Sequence, residues 1–451
     1  MNLSTAAKVL DASLHGPDAV FTSVESDSRT LHPGALFVAL TGPRFDGHDY
    51  VSAAASAGAA GALLSRDVDE AIPYLRVDDT RAGLARLAAH WRRRFAIPVV
   101  GVTGSSGKTT VKEMIGAALA RSGDGVVTRG NLNNEIGVPL TLLRLRESHR
   151  FAVIEMGMNH PGEIDRLSAM AVPTVAVITN AGPAHLEGLG SVEAVARAKG
   201  EILAGLAPDG VACLNADDPF LPLWQDMAGP RRVVTFGLSP EADVRAAYEC
   251  GFDGSDLRLV TPAGDTRMRL ALPGRHNVSN ALAAAAAAIA ARASVDDIRA
   301  ALEAMVPVDG RLRPRTGLRG ARILDDSYNA NPASVLAGLE VLRTFDGETI
   351  AVLGDMAELG RGAEVGHREV GRAARRLGVD TVLAVGANAG AVTGGFGEGA
   401  RAFPDIDALL DDLRPRLHEG VAVLVKGSRS SRMERVVEAV CAAASGRAGE
   451  G

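Results

Sequence analysis

Apolar residues recur along the chain in two rhythms, and their alternation divides it. In the first stretch, short apolar runs such as the one at 35–40 stand between glycines and prolines, and the run at 74–77 reads as a strand. Asp79 or Thr80 stands where a helix cap belongs. Leu84, Leu87, Ala88, Trp91 and Phe95 follow at helical spacing, which predicts an amphipathic helix. A new unit starts with the apolar segment at 97–102. From there, strand-like runs at 151–154 and 175–178 alternate with helical stretches, closing with an alanine-rich helix over 278–292 and a short one around 295–304. After Pro307 a third alternation places strands at 321–324, 349–353, 381–385 and 421–425, with helices between. Strands alternating with helices predict mainly parallel sheets covered on both faces, the last of them doubly wound. The tail from 444 onward reads as disordered.

Composition narrows this picture. At roughly 150 residues per domain, a chain of 451 residues holds about three domains, and its 47% apolar content supplies several cores. That content excludes a low-hydropathy disordered chain. A net charge of −6 argues against a surface built to neutralise nucleic-acid backbones. Cys213, Cys250 and Cys441 stand far apart with no Cys-x-x-Cys. Neither a disulfide framework nor a cysteine zinc site is expected, and a reducing, cytoplasmic setting is. The first residues lack a basic segment followed by an apolar one, so no secretory signal is read. The longest unbroken apolar run, 11 residues at 281–291, is too short to span a bilayer. The expectation is a protein that works on small molecules, with no nucleic-acid partner and no membrane insertion.

The strongest chemical signal is the run Gly104, Ser105, Ser106, Gly107, Lys108, Thr109, Thr110. It follows a strand and precedes a helix predicted over 111–121. Glycines let backbone N–H groups turn toward a phosphate, and the helix N-terminus adds positive potential. Lys108 can reach terminal phosphates and the Thr109 hydroxyl can ligate Mg²⁺. The first glycine of the common Gly-x4-Gly-Lys-[Ser/Thr] pattern would fall at Val102, so the loop is the shorter Gly-x-x-Gly-Lys-Thr. Such a loop alone does not separate a ligase from a kinase, a motor or a switch. The strand at 151–154 ends at Glu155, in the crevice where parallel sheets bind ligands. Glu155 either holds Mg²⁺ or closes a surface salt bridge. The next strand leads through Asn180 to His185, which is either part of a metal site or an ordinary loop histidine. Lys199 shares a largely apolar helix stripe with Val195 and Ile202. It either snorkels to solvent or is a desolvated lysine of lowered pKa, available for covalent chemistry.

Further motifs accompany these: Asn-Leu-Asn-Asn-Glu-Ile-Gly-Val-Pro-Leu-Thr at 131–141, Glu-Met-Gly-Met-Asn at 155–159, and Leu-Pro-Gly-Arg-His-Asn-Val-Ser-Asn at 272–280. Later come Asp-Asp-Ser-Tyr-Asn-Ala-Asn-Pro at 325–332, Gly-Asp-Met-Ala-Glu-Leu-Gly at 354–360 and Lys-Gly-Ser-Arg-Ser at 426–430. Together they strongly resemble the Mur ligase family, over nearly the whole chain. The resemblance implies an α/β protein of three domains. Residues 1–85 would form a small α/β domain for the UDP end of the substrate. Residues 86–308 would form a central P-loop ATPase-like parallel-sheet domain for ATP. Residues 309–451 would form a C-terminal Rossmann-like domain completing the ATP and amine sites.

The same resemblance assigns roles. ATP binding falls to Gly104, Ser105, Ser106, Gly107, Lys108, Thr109, Thr110, Asn280, Arg311 and Asp326. Catalysis falls to Lys108, Lys199 and His185, and the metal site to Thr109, Glu155, His185 and Lys199. Lys199 aligns with a lysine that is carbamylated in the family, its carbamate oxygens helping to position Mg²⁺, two ions in all. Substrate binding falls to Ser28, Arg29, His48, Asn133, Asn134, Asn329 and Asn331, with residues 355–358 a further candidate segment for the amine. The segments at 325–332 and 354–360 point to the branch that adds D-alanyl-D-alanine to UDP-N-acetylmuramoyl-tripeptide through an acyl phosphate, in peptidoglycan precursor synthesis. A monomer is expected. Two other readings stay open here. One is a family member that adds a diamino acid or glutamate instead. The other is a P-loop switch that binds nucleotide and ligates nothing.

Overall fold

The computed structural model describes residues 1–43, 45–69, 72–183, 189–307, 309–357 and 359–441. It divides into two units, Met1–Asp243 with Ala283–Ile298, and Val244–Leu282 with Arg299–Gly451.

Two sheets organise the first unit. The apolar run at 35–40 supplies strand Ala35–Val38, buried at every position and parallel to the equally buried Gly61–Leu64. The five-stranded sheet runs Ser13–His15, Tyr74–Arg76, Gly61–Leu64, Ala35–Val38, Ser23–Glu25, parallel except for its Ser13–His15 edge. Helix Thr80–Arg92 starts at Asp79, whose carboxylate accepts from the Arg81 and Ala82 N–H groups at 2.7 and 3.2 Å. Asp79 rather than Thr80 is therefore the cap. The helix buries Leu84 and Leu87 in one cluster with Leu63 and Leu75.

The second sheet of this unit is parallel throughout. Its order is Arg232–Phe236, Val211–Asn215, Val175–Ile178, Val99–Thr103, Phe151–Glu155, Gly125–Val127. The three strands at its centre are buried at every position, as strands covered on both faces must be. The chain builds on one side of Val99–Thr103 as far as Phe151–Glu155, then crosses to the other side with Val175–Ile178. The switch point thus falls at the carboxyl end of Val99–Thr103, where open α/β sheets bind ligands.

In the second unit, Val421–Lys426 is buried at all six positions between Arg322–Asp326 and Glu348–Leu353. The six-stranded sheet continues to Thr381–Val385 and Ala400–Phe403, and only its edge Arg313–Thr316 is antiparallel. Leu324 and Leu424 fill a core on one face, Ile323 and Val423 a core on the other. The helices expected near 278 and 295 run Arg275–Ala290 and Val295–Glu303.

The sequence pattern gave no sign of the antiparallel meander Arg245–Gly251, Gly254–Thr261, Gly264–Leu270. Leu257, Leu259, Met268 and Leu270 are buried while Asp256, Arg258, Arg267 and Arg269 between them face outward. A sheet buried on one face interleaves its apolar residues with charges and leaves no apolar run to see. No helix among the described residues is long and apolar enough to cross a membrane.

Candidate active site

The phosphate loop leaves strand Val99–Thr103 and enters helix Lys108–Ala120, which begins three residues earlier than the pattern placed it. Gly104 has φ +149°, and a Cβ there would fall 1.9 Å from Thr179 Oγ1. Gly107 turns the chain into the helix with φ +80°. Both need glycine for want of space or for left-handed backbone. The exit of strand Val175–Ile178 grips the loop. Ser105 N–H donates to the Asn180 carbonyl at 3.0 Å and Ser106 N–H to Asn180 Oδ1 at 3.0 Å. The Thr179 hydroxyl donates to the Ser106 carbonyl at 2.6 Å. Lys108 Nζ folds over the loop onto the Gly104 carbonyl at 2.7 Å. Thr109 and Thr110 are half-buried on the first helical turn.

Glu155 ends the neighbouring strand and is 2% exposed, so it is no surface salt bridge. Thr109 Oγ1 donates to its Oε2 at 3.1 Å and Asn133 Nδ2 to its Oε1 at 2.8 Å. Thr128 Oγ1 accepts from the Glu155 N–H at 3.0 Å. Asn134 folds the loop that carries Asn133, accepting from the Ile136 and Gly137 N–H groups at 3.1 and 2.9 Å. Lys112 is fully buried behind this group, donating to the Thr128 carbonyl at 2.8 Å, with Nζ 3.8 Å from Glu155 Oε2. Its mark in the sequence is slight, a lysine one turn beyond Lys108 beside the apolar Val111 and Ile115.

Lys199 lies at the end of helix Val192–Gly200, fully buried, and its Nζ has no hydrogen-bond partner among the described residues. Burial, and then the charge of Lys108, pushes its pKa well below 10.5. The snorkelling alternative is therefore overturned. His185 lies outside the described residues. Among the described residues no group of three or more His, Cys, Asp or Glu is placed so that it could hold a metal ion. The donors at hand are one hydroxyl and one carboxylate. That set fits Mg²⁺, a hard ion that commonly takes one or two protein oxygens and the rest from phosphate and water.

A second cluster forms at the strand ends of the other unit. Lys426 Nζ stands 2.5 Å from Asp326 Oδ2 and donates to the Asn329 carbonyl at 2.9 Å. Asp326 Oδ1 accepts from the Leu312 N–H at 3.2 Å. Burial raises the Asp326 pKa, opposed by Lys426. The Arg311 guanidinium lies 4.8 Å over the Tyr328 ring. Asn280 is buried and donates to Asn277 Oδ1 at 3.1 Å. Asn331 caps helix Pro332–Leu342 by accepting from Ser334 N–H at 2.8 Å, and Asn329 Oδ1 accepts from Ala330 N–H at 2.9 Å. Asp355 accepts from the Ala387 and Asn388 N–H groups, both at 2.9 Å. Met356 is buried, and Glu358 lies outside the described residues.

Around the first sheet, Arg29 is exposed and doubly bonded to Asp27, at 2.9 and 2.7 Å, which holds the Asp27 pKa down at about 2. Ser28 is half-buried between them. The His48 ring is buried, with Nδ1 2.6 Å from Asp46 Oδ1 and Nε2 accepting from Ser65 N–H at 3.0 Å. Both ring nitrogens are engaged, so His48 shapes its loop through Asp46 and Ser65.

A phosphate loop at a sheet switch point, a buried carboxylate against its threonine and a buried lysine without a partner among the described residues define a nucleotide-using α/β enzyme. The chain belongs to the Mur ligase family. The family's models for its catalytic domain, its middle domain and its glutamate ligase domain match residues 20–92, 102–288 and 310–429. Over 446 residues the chain is 45% identical to the UDP-N-acetylmuramoyl-tripeptide–D-alanyl-D-alanine ligase of Escherichia coli, covering 98% of each chain. It is 36% identical to the ligase of the same name from Mycobacterium tuberculosis, over 93% of this chain and 92% of that one. A crystal structure of MurF from Acinetobacter baumannii superposes with a TM-score of 0.90 at 36% identity, covering 96% of this chain and 97% of that one. The MurF ligase of Thermotoga maritima in complex with ADP gives 0.84 at 30% identity, covering 92% and 96%.

Proposed function

We propose that this chain joins D-alanyl-D-alanine to UDP-N-acetylmuramoyl-tripeptide at the expense of ATP, releasing ADP and phosphate in peptidoglycan precursor synthesis. The observation that carries this reading is the crevice beyond strand Val99–Thr103. There the gripped loop, the Thr109–Glu155 contact and the buried Lys199, its pKa lowered by burial and then by the charge of Lys108, belong to one sheet end. The near-complete match to ligases of that name supports the choice of substrates.

A carboxylate is a poor electrophile. Phosphoryl transfer from ATP to the tripeptide carboxylate makes an acyl phosphate, and the dipeptide amine then attacks its carbonyl carbon. The C–N bond forms, the amine loses its proton and phosphate leaves. Two anions must meet for the first step, and the loop amides with Lys108 offset their repulsion. Thr109, Glu155 and a carbamate on Lys199 would hold Mg²⁺, two ions in this reading. The metal supplies charge neutralisation at the phosphates. An uncharged Lys199 amine can add to CO₂, and the resulting anion is at home only beside a cation. His185 would complete this group.

Asn280, Arg311 and Asp326 serve the nucleoside end of ATP. Ser28, Arg29, the loop that His48 shapes, Asn133 and Asn134 serve the UDP-sugar end. Asn329, Asn331 and residues 355–358 serve the amine. A monomer in the cytoplasm completes the proposal.

Phosphate release tests it, measured with the muramoyl tripeptide and D-alanyl-D-alanine together and singly. Release should require both. Equal release with glutamate or a diamino acid would move the chain to another branch of the family. Hydrolysis indifferent to the muramoyl peptide would make it a nucleotide switch.

A further inference from the structure

Lys112 has no part in the chemistry above, yet it is one of the largest fully buried side chains in the protein. Fully buried lysines are rare and need partners. Here the ammonium is tied at 2.8 Å to the Thr128 carbonyl and at 2.9 Å to Glu113 Oε1. These bonds fix it 3.8 Å from Glu155 Oε2, the oxygen to which Thr109 donates. Thr128 joins the arrangement twice, since its hydroxyl also accepts from the Glu155 N–H. Helix Lys108–Ala120, the turn after strand Gly125–Val127 and the end of strand Phe151–Glu155 thus meet at one positive charge. A leucine or methionine would fill similar space without the desolvation of an ion. What an apolar residue would not supply is a fixed cation beside the carboxylate.

We propose that Lys112 is a built-in counter-cation for Glu155, a positioning residue that sets the carboxylate toward Thr109 and lowers the site's affinity for a bare divalent ion. The inference rests on the reading of Glu155 as a metal ligand. A divalent ion arriving alone meets the ammonium at short range in a medium of low dielectric, where the repulsion is strong. An ion arriving with nucleotide phosphates brings the compensating negative charge with it. Lys112 thereby couples metal entry to nucleotide entry.

The test uses the full-length protein without nucleotide and Mn²⁺ as the probe, with free Mn²⁺ followed by electron paramagnetic resonance. Lys112→Met should bind Mn²⁺ about tenfold more tightly than the parent, equivalent to roughly 1.4 kcal/mol. Lys112→Arg should stay near the parent. If Lys112→Met does not fold, Lys112→Gln removes the charge while keeping a donor for the Thr128 carbonyl, and it should show the same gain. Unchanged or weaker Mn²⁺ binding in the charge-removing variant overturns the proposal. So does a gain that survives when Glu155→Gln is added. If Glu155→Gln alone leaves Mn²⁺ binding untouched, the ligand reading of Glu155 has failed, and the counter-cation falls with it. Loss of binding in Glu155→Gln with no gain in Lys112→Met is the failure of the counter-cation alone.

Discussion

Lys426 and Lys199 are both buried, 2% and 0% exposed, and their surroundings are opposite. Lys426 ends a central strand of the second unit with a carboxylate oxygen at 2.5 Å and a backbone carbonyl at 2.9 Å. Lys199, in the first unit, has no hydrogen-bond partner among the described residues. A buried ammonium is tolerated when paired and otherwise gives up its proton. Lys426 fastens strand Arg322–Asp326 to the loop carrying Asn329. Lys199 is, on the proposed reading, the group that burial prepares for reaction, its pKa pushed well below 10.5. On that reading, one sheet end is braced and the other is poised for chemistry.

The largest effect should come from the poised end. Lys108→Ala removes the side chain that lies on the Gly104 carbonyl of the phosphate loop, and turnover should fall by about 10³-fold or more, with little change in melting temperature. Near-normal ligation by phosphate release would take the loop out of the mechanism. The braced end should answer in stability instead. Asp326→Asn leaves Lys426 buried without its counter-ion, which should cost about 3–5 kcal/mol in urea unfolding. Adding Lys426→Met should recover most of it. If Asp326→Asn unfolds at the parent's urea concentration, the pair is not a brace.

Lys199→Ala should lose about 10²-fold in turnover and regain part of it when a short carboxylate such as acetate is added. Lys426→Ala should show no such rescue. Intact activity in Lys199→Ala removes the carbamate from the mechanism.

Lys199 should also give the stability a pH dependence. The folded pKa of Lys199 lies well below 10.5. Between that lowered value and 10.5, the unfolded chain carries a proton that the folded chain has released, so stability rises with pH across this window. The slope from one such group is at most about 1.4 kcal/mol per pH unit. In CO₂-free buffer, Lys199→Met should be the more stable form at neutral pH, with its advantage shrinking as pH climbs toward 10.5. A constant gap would mean that Lys199 keeps its proton when folded.

Local patterns made part of this legible. The residues at 104–110 declare a phosphate loop because glycines, a lysine and a threonine must be contiguous to do that work, and Glu155 follows its strand immediately. The central strands of both large sheets were equally visible, since central parallel strands are apolar on both faces, whereas Val211–Asn215 and Arg232–Phe236 toward the edge of the first were not read as strands. What stayed hidden depends on separation and burial. Asp326 and Lys426 meet across 100 residues of chain, and Asn133 reaches Glu155 across 22. Nothing in residue type alone tells a lysine buried at 112 from one in solvent. His48 is the reverse case, conspicuous in sequence and engaged by Asp46 and Ser65 in the fold.

The smallest effect concerns the loop that Lys426 braces. Asn331 is a candidate amine-substrate residue, and its Oδ1 is already given to Ser334 N–H in a capping box at helix Pro332–Leu342. Asn331→Ala should cost about 1 kcal/mol of stability through the lost cap. Asn331→Ser caps almost as well as asparagine, so it should restore that stability while removing the amide. Comparing the two separates brace from ligand. The Asn331 oxygen is committed to the cap, and its Nδ2 is the atom left to serve the amine, so Asn331→Ser should raise the KM for D-alanyl-D-alanine; a KM near the parent's would mean that the side chain acts only as a cap. A severalfold rise in that KM at parental stability would mean that the amide reaches the dipeptide, and that the braced end of the protein also reads the substrate.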